Sequence, residues 1–229
     1  MAAVGSERRR AVYVWEAPVR LWHWVMALAM VALAVTGYFI GSPPPSVPGE
    51  ASDHFLFGTI RFIHFAAAYI FAIFFALRVY WAFVGNRYAR EIFAVPLKML
   101  DADWWKGLIN QGLYYGFMRR EGGRYEGHNP LAMAAMFFMY VLGTVFMICT
   151  GFALYGEGAG MASWQYKVFS SWLIPWFGGS QAVHTWHHLG MWYLIVFTLV
   201  HLYMVVREDV FSKDTVVSTM INGWRVPKP

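Results

Sequence analysis

Residues 184–206 read HTWHHLGMWYLIVFTLVHLYMVV, and this stretch decides the fold. It is apolar enough and long enough to cross a bilayer core, which takes roughly 20 helical residues. It also carries His187 and His201, which are 14 residues apart. On a helix with about 3.6 residues per turn, that spacing brings both side chains to within about 40° of one face, roughly 21 Å apart along the axis. Ionisable side chains are unfavourable in hydrocarbon, so each histidine is a candidate functional residue.

The composition of the whole chain is that of a membrane protein. Of its 229 residues, 59% are apolar and 14% are charged, whereas about a quarter of the residues of a soluble domain are charged. The chain has one cysteine, Cys149. A single cysteine excludes an intramolecular disulfide, a cysteine-held iron–sulfur cluster and a cysteine-rich zinc site within this chain.

Four apolar stretches predict four transmembrane helices, at about residues 22–40, 62–84, 131–155 and 189–206. The first stretch ends at a strong helix stop, Gly41-Ser42-Pro43-Pro44-Pro45. We therefore predict an all-α fold, an integral membrane four-helix bundle that forms a single membrane domain over residues 1–229.

Two loops are expected to carry structure of their own. Residues 91–118 mix apolar with charged side chains and predict helices that lie on the cytoplasmic membrane surface. Residues 161–177 are rich in tryptophan and other aromatic residues and predict an interfacial segment on the outer side. This segment is either an aromatic belt at the interface or a docking platform for a partner outside the membrane.

Lysine and arginine predict the orientation of the spans. Of the 18 basic residues, 16 lie in the N-terminal arm, around the loop between the second and third spans, or in the C-terminal tail. By the positive-inside rule, both termini and the middle loop are predicted to be cytoplasmic. The net charge of +5 thus reflects topology and indicates no nucleic-acid partner. The 16 are Arg8, Arg9, Arg10, Arg20, Arg78, Arg87, Arg90, Lys98, Lys106, Arg119, Arg120, Arg124, Arg207, Lys213, Arg225 and Lys228.

This topology sorts four histidines into two pairs by depth. His23 and His201 lie near the cytoplasmic side, and His64 and His187 lie near the outer side. Two neutral imidazoles that face each other across a helix bundle are the axial ligands expected of a six-coordinate haem b. We therefore predict two haem irons, an inner one held by the first pair and an outer one held by the second. A lone interfacial histidine is more often a hydrated side chain than a ligand, but four at paired depths favour ligation.

Further side chains share a helix face with these histidines. Arg20 and Arg61 each precede a histidine by three residues, and a guanidinium suits the carboxylate of a haem propionate. A snorkelling interfacial arginine is the alternative for both. His184 lies one turn outward from His187 and is expected to contact a propionate or a partner. His54 and His128 lie in loops and are expected to be solvated.

One short pattern occurs in both the first and the third span. Thr36-Gly37-Tyr38 resembles Thr150-Gly151-Phe152, and both lie near the outer end of a span. Glycine at these positions is expected to let something broad and flat approach the backbone.

Long local motifs identify a family. The chain resembles, over nearly its whole length, the b-type cytochrome subunit of membrane-bound uptake NiFe-hydrogenases. The wider group includes the cytochrome subunit of membrane formate dehydrogenases and shares the four-helix, two-haem layout. The motifs are Tyr13-Val14-Trp15-Glu16-Ala17-Pro18-Val19-Arg20-Leu21-Trp22-His23-Trp24, Val35-Thr36-Gly37-Tyr38-Phe39-Ile40-Gly41, Tyr80-Trp81-Ala82-Phe83-Val84-Gly85-Asn86-Arg87, Gly127-His128-Asn129-Pro130, His184-Thr185-Trp186-His187-His188-Leu189-Gly190-Met191-Trp192 and Arg207-Glu208-Asp209.

The resemblance implies a function. The hydrogenase small subunit, with its iron–sulfur clusters, and the large subunit, with its NiFe centre, would bind on the outer face of this lipid-embedded chain. Electrons would pass to the outer haem, then to the inner haem, and then to a quinone. The chain would be an electron-transfer and anchoring subunit that does not itself oxidise hydrogen.

Two alternatives remain at this stage. One is the cytochrome subunit of another periplasmic oxidoreductase, such as formate dehydrogenase. The other is a haem-free membrane anchor, or a transporter that uses histidines as a proton relay. A relay favours carboxylates within the spans, and spans one, three and four contain none.

Overall fold

The computed structural model describes residues 11–45, 49–50, 54–123, 125–211 and 215–226. Some of the basic residues that predict the orientation lie outside these described residues. They are Arg8, Arg9, Arg10, Arg124, Lys213 and Lys228.

Helices make up most of the described chain. A two-stranded antiparallel ribbon joins β1 (Val12–Tyr13) to β2 (Trp224–Arg225). Two short π-helical stretches, Met136–Val141 and Tyr166–Ser170, lie directly before α6 and α7. The helices are α1 (Ala17–Gly41), α2 (Leu56–Val84), α3 (Val95–Lys98), α4 (Ala102–Tyr115), α5 (Pro130–Ala135), α6 (Leu142–Ala159), α7 (Ser171–Trp176), α8 (Ser180–Phe211) and α9 (Val216–Asn222).

The four predicted spans and the all-α class are confirmed. The helices long and apolar enough to cross a membrane are α1, α2, the continuous stretch Pro130–Ala159, and α8. The helix that contains the fourth predicted span is longer than its apolar stretch, because α8 begins at Ser180, nine residues before residue 189. Histidine and threonine lower the hydropathy of a window, but their helix propensity is only modestly below that of alanine, so the helix continues through them. One unbroken helix therefore carries His184, His187 and His201.

The third span starts at a local sequence signal. The Asn129 side-chain oxygen accepts a hydrogen bond from the backbone N–H of Ala132 at 2.8 Å. Asparagine is a favoured N-cap, and proline is favoured in the first turn because its missing N–H has no helical partner there. The Asn129-Pro130 pair therefore begins this span. Within the span, the π-helical stretch Met136–Val141 gives a wider turn, which the sequence pattern did not predict.

The described residues form two compact units. Unit one contains residues 11–21, 80–135 and 199–226. Unit two contains Trp22–Val79 and Met136–Thr198, as far as these residues are described. The single membrane domain over residues 1–229 stays a prediction.

Unit one joins three segments that are far apart in the sequence. In the ribbon, Val12 pairs with Arg225 and Tyr13 with Trp224. The Arg225 guanidinium donates to the backbone carbonyls of Glu126 and Gly127, both at 2.8 Å. The N-terminal arm, the middle loop and the C-terminal tail therefore meet, as expected for three segments on one side of a membrane. That this side is the cytoplasm stays a prediction.

The amphipathic loop of unit one forms two helices, α3 and α4, in the region predicted at 91–118. Asp101 caps the second of them, since its carboxylate accepts from the backbone N–H of Asp103 at 3.0 Å. Trp104 is buried on the inner face of α4, whereas Trp105 and Ile109 are exposed. Their contact with lipid stays a prediction.

In unit two, the aromatic segment predicted at 161–177 forms a π-helical turn and α7. Leu173 of this segment packs with Ala153 and Val183 in one buried cluster. The Ser170 hydroxyl donates to the Ala153 carbonyl at 2.6 Å and ties the segment to α6. Other side chains of this segment, Trp172 and Trp176 among them, are exposed. Both interpretations, aromatic belt and docking platform, stay open.

Candidate functional site

His64 lies on α2 in unit two and is held by a threonine of α1. The hydroxyl oxygen of Thr36 is 2.9 Å from Nδ1 of His64. The same oxygen is 2.6 Å from the carbonyl oxygen of Ala32, four residues earlier on the helix. Thr36 is buried, and His64 is partly buried. The ring is thus fixed from the neighbouring helix.

His187 lies on α8 and has an equivalent partner on α6. The hydroxyl oxygen of Thr150 is 2.8 Å from Nδ1 of His187 and 2.8 Å from the carbonyl oxygen of Phe146. Thr150 is buried. The two candidate ligands of the outer pair are therefore held in the same way by residues of two different helices.

These contacts determine which ring nitrogen carries the proton. A threonine hydroxyl has one hydrogen, and a carbonyl oxygen can only accept. Each hydroxyl donates to the carbonyl four residues earlier, so towards the histidine its oxygen accepts. Nδ1 of His64 and of His187 is then the protonated nitrogen, and Nε2 keeps its lone pair. A neutral imidazole with a free Nε2 lone pair is the form that ligates a metal.

A glycine follows each of these threonines and lies against the same ring. A Cβ atom on Gly37 would lie 3.3 Å from Cε1 of His64, and one on Gly151 would lie 3.2 Å from Cε1 of His187. A side chain at either position would press on the ring. The broad, flat group expected to approach these glycines is, in this structure, the histidine ring.

Unit two brings the predicted outer pair into one neighbourhood. Besides the ring of His64, the Cβ position of Gly37 faces the Met191 sulfur of α8, 3.4 Å away. Met191 follows His187 by four residues, about one turn of α8. The surroundings fit a haem, because two imidazoles that are hydrogen-bonded at Nδ1 lie on apolar helices of unit two.

The remaining predicted site residues are placed as follows. His23 is a partly buried residue of α1 in unit two, and His201 is a partly buried residue of α8 in unit one, so the inner pair stays a prediction. Arg20 donates to the backbone carbonyl of Ile221 in α9. Arg61 is exposed, with its guanidinium carbon 5.7 Å from the centre of the Phe65 ring. The roles of Arg20 and Arg61 at propionates, and the role of His184, which is exposed, also stay predictions.

The expectation that His128 is solvated is wrong. Its side chain is 23% exposed, and its Nδ1 lies 3.2 Å from the Glu91 carboxylate. The same carboxylate oxygen accepts from the His128 backbone N–H at 2.8 Å. The Trp15 ring packs on the imidazole, with ring centres 4.9 Å apart. His128 therefore ties the middle loop of unit one together.

The end of α8 that follows His201 is fixed by a buried arginine. The Arg207 guanidinium lies over the rings of Tyr114 and Tyr115, 4.8 and 5.0 Å from their centres. The Tyr115 hydroxyl accepts from the Asn129 side-chain amide at 3.0 Å. Burial raises the pKa of Tyr115 to about 12, so its phenol stays protonated at physiological pH. Cation–π contacts thus join α8 to α4 within unit one.

Sequence reasoning missed two residues that contact the candidate ligands, and it also missed one buried charge within a span. Thr36 and Thr150 were visible only as parts of a repeated Thr-Gly pattern, and their contact with the histidines had no sequence signal. Arg78 was counted only as a topological charge, yet it is buried on α2. It follows His64 by 14 residues, the spacing that also separates His187 and His201. A charged residue inside a span is itself a signal of function.

Comparison with known proteins gives consistent results. A family model described as "Prokaryotic cytochrome b561" matches residues 14–223. A relative from Azotobacter vinelandii, named "Probable Ni/Fe-hydrogenase B-type cytochrome subunit", is 58% identical over 98% of this chain and 93% of its own length. A relative of the same name from Cupriavidus necator is 56% identical over 99% and 92%. "Probable Ni/Fe-hydrogenase 1 B-type cytochrome subunit" of Escherichia coli is 50% identical over 94% and 91%.

Proposed function

The chain belongs to the prokaryotic cytochrome b561 family, and on this premise we propose that it is a di-haem cytochrome b. In this proposal it anchors a periplasmic NiFe-hydrogenase to the membrane and passes electrons from the hydrogenase's iron–sulfur chain to membrane quinone. The names of its relatives, which describe them as cytochrome subunits of Ni/Fe-hydrogenases, support this assignment.

The histidines would hold two b-type haems. His64 and His187 would ligate the outer haem iron, and His23 and His201 the inner one. Bound haem b supplies reversible one-electron chemistry at its iron. The protein's own contribution is to present neutral imidazoles, to surround them with apolar helices that exclude water, and to hold propionates through Arg20, Arg61 and His184.

The observation that carries this proposal is the pair of threonine–histidine contacts. Thr36 and Thr150 accept from Nδ1 of His64 and His187, at 2.9 and 2.8 Å, and so leave the lone pair of each Nε2 for a metal ion. A histidine in a proton relay would have to exchange protons at both nitrogens, which a fixed hydrogen bond at Nδ1 opposes. A purely structural histidine has no need of a free lone pair on Nε2.

The partners and the orientation follow from the same proposal. The hydrogenase small and large subunits would bind on the outer face, where the exposed Trp172 and Trp176 offer apolar surface to a partner. The basic segments of unit one would lie at the cytoplasmic face of the bacterial inner membrane. Lipid would surround the four spans, and quinone would be reduced near the inner haem.

A visible spectrum tests the proposal. The full-length chain, purified from membranes, should show b-type bands in its reduced-minus-oxidised spectrum, with about two haems per chain. When the chain is purified together with its hydrogenase subunits, hydrogen gas should reduce the same bands, and added quinone should reoxidise them. A chain that carries no haem b would refute the proposal.

A further inference from the structure

Thr36 and Thr150 form the same arrangement twice in unit two. Each donates its hydroxyl hydrogen to the carbonyl four residues earlier, over 2.6 and 2.8 Å. Each accepts from Nδ1 of a histidine on another helix, over 2.9 and 2.8 Å. The glycine that follows each threonine leaves room for the same ring atom, Cε1. Two helices therefore offer the same surroundings to two candidate ligands.

The chemical effect of such a contact is specific. An imidazole whose Nδ1–H donates to an oxygen is a stronger electron donor at Nε2, and the partner also fixes the ring orientation. The donor strength of axial ligands and the hydrogen bonds around them are among the features that set the reduction potential of a haem iron. A stronger donor stabilises the oxidised iron and so lowers this potential.

We propose that Thr36 and Thr150 are positioning residues of the outer haem. They hold His64 and His187 with the proton on Nδ1, and they lower the reduction potential of the iron that both rings ligate. This inference rests on the proposed function, because it assumes that these two histidines share one haem.

The burial of the two hydroxyls makes this role effective. Thr36 is 7% exposed and Thr150 is 1% exposed, so water does not compete for the histidine proton. In a low-dielectric interior a hydrogen bond is electrostatically stronger than in water. The hydrogen bond from each histidine Nδ1–H to its threonine oxygen is therefore strong enough to raise the donor strength of Nε2.

Redox titration of the purified full-length chain tests this inference. Thr36→Val and Thr150→Val keep the shape of the side chain and remove the oxygen. In each variant the midpoint potential of one haem should rise, and that of the other should stay as in the wild type. Both substitutions should shift the same haem, and the double variant should shift it further. Thr36→Ser and Thr150→Ser keep the hydroxyl and should retain the wild-type potential.

Thr198 provides a matched control. Its hydroxyl donates to the Leu194 carbonyl at 2.8 Å, as Thr36 and Thr150 do with their own helices. Its hydroxyl oxygen lies 3.3 Å from the Met30 sulfur. Among the described residues, Thr198 forms no hydrogen bond with a histidine. Thr198→Val should leave both midpoint potentials unchanged, so a shift in this variant would mean that any buried threonine produces the effect.

The remaining outcomes are also distinct. Loss of one haem in Thr36→Val, restored in Thr36→Ser, would support the positioning role. Two haems with unchanged potentials in both valine variants would overturn the inference while the proposed function stands. Shifts on different haems would overturn it as well. If the valine variants do not accumulate in the membrane, Thr36→Ala and Thr150→Ala replace them. If the alanine variants also do not accumulate while the serine variants do, the hydroxyls serve folding, and the inference is overturned. A wild type without haem b would refute the proposed function itself.

Discussion

At the scale of single residues, a threonine hydroxyl accepts a hydrogen bond from each histidine of the outer pair. The hydroxyl hydrogen of each threonine is itself bonded to a backbone carbonyl. A buried N–H without an acceptor is unfavourable by about 1–3 kcal/mol. Thr36 and Thr150 remove this penalty at His64 and His187, and their own hydroxyl hydrogens bond to the helix that carries them. Threonine can therefore accept a hydrogen bond from a ring N–H within a membrane span without leaving a polar group unsatisfied.

Replacement of one candidate histidine ligand should remove one haem and leave the other bound. In His64→Ala and in His187→Ala, haem content should fall from about two to about one per chain, because an iron with one axial histidine is held weakly. Pyridine haemochrome analysis measures the content, and redox titration identifies the remaining haem. His23→Ala and His201→Ala should remove the other one.

His54→Ala is the control for these variants, because His54 is an exposed loop residue, and it should keep both haems. If His23→Ala and His64→Ala removed the same haem, the pairing of ligands by depth would be wrong.

A side chain on either glycine beside the rings should destabilise the protein. Gly37→Ala and Gly151→Ala place a methyl group 3.3 and 3.2 Å from the histidine Cε1 atoms, and such overpacking typically destabilises by about 1–3 kcal/mol. We expect a lower temperature of haem loss, followed by absorbance during heating. Gly158, in α6, has no heavy atom within 4 Å of its Cβ position. Gly158→Ala should raise or retain stability, so equal losses in all three variants would contradict the steric explanation.

At the scale of elements, polar contacts join helix ends and neighbouring loops within unit one. The Glu16 carboxylate, just before α1, accepts from Trp81 Nε1 at 2.8 Å and from the backbone N–H of Asn86 at 2.9 Å. The Asn86 side chain in turn donates to the Val14 carbonyl at 2.9 Å. One carboxylate thus holds the start of α1 against the end of α2, which a hydropathy pattern does not reveal.

Loss of this carboxylate should loosen unit one. Glu16→Ala leaves two partly buried N–H groups without their acceptor, and each such loss is unfavourable by about 1–3 kcal/mol. We expect Tm, measured by tryptophan fluorescence in detergent, to fall by roughly 4–8 °C for a loss of about 2 kcal/mol in a protein of this size.

Two variants separate this effect from a general effect of charge. Glu16→Gln keeps an oxygen acceptor and should recover most of the loss. Asp103→Ala breaks only an exposed ion pair with Lys106 and should leave Tm unchanged. A normal Tm in Glu16→Ala would show that the contact does not hold the helices.

At the scale of the whole molecule, the orientation in the membrane depends on charge and not on packing. Contacts such as the β1–β2 ribbon bring the basic segments together, but only the asymmetry of lysine and arginine indicates which side of the bilayer they occupy.

Single cysteines test the orientation. In a Cys149→Ser background, Met161→Cys and Leu97→Cys introduce thiols at residues that are 75% and 74% exposed. A membrane-impermeant maleimide should label Met161→Cys in intact spheroplasts, and Leu97→Cys only after lysis. The reverse pattern would place the termini and the middle loop outside the cytoplasm.

The sequence alone was sufficient for the four spans, the all-α class and the family. The length of an apolar stretch and the motifs around it are local properties, so no distant contact is needed to interpret them. The 14-residue spacing of His187 and His201 on one helix was predicted for the same reason, and α8 carries both.

Only the tertiary structure could reveal the surroundings of the histidines. Thr36 is 28 residues from His64, and Thr150 is 37 residues from His187. The contact of two such residues depends on the rotation of each helix about its axis and on its depth relative to its neighbour. Hydropathy determines neither the rotation nor the depth of a span that is apolar on every face. The pairing of His128 with Glu91, 37 residues earlier, was missed for the same reason. The positions of the candidate ligands were therefore present in the sequence, whereas the proton-bearing nitrogen of each outer ligand was decided by helix packing.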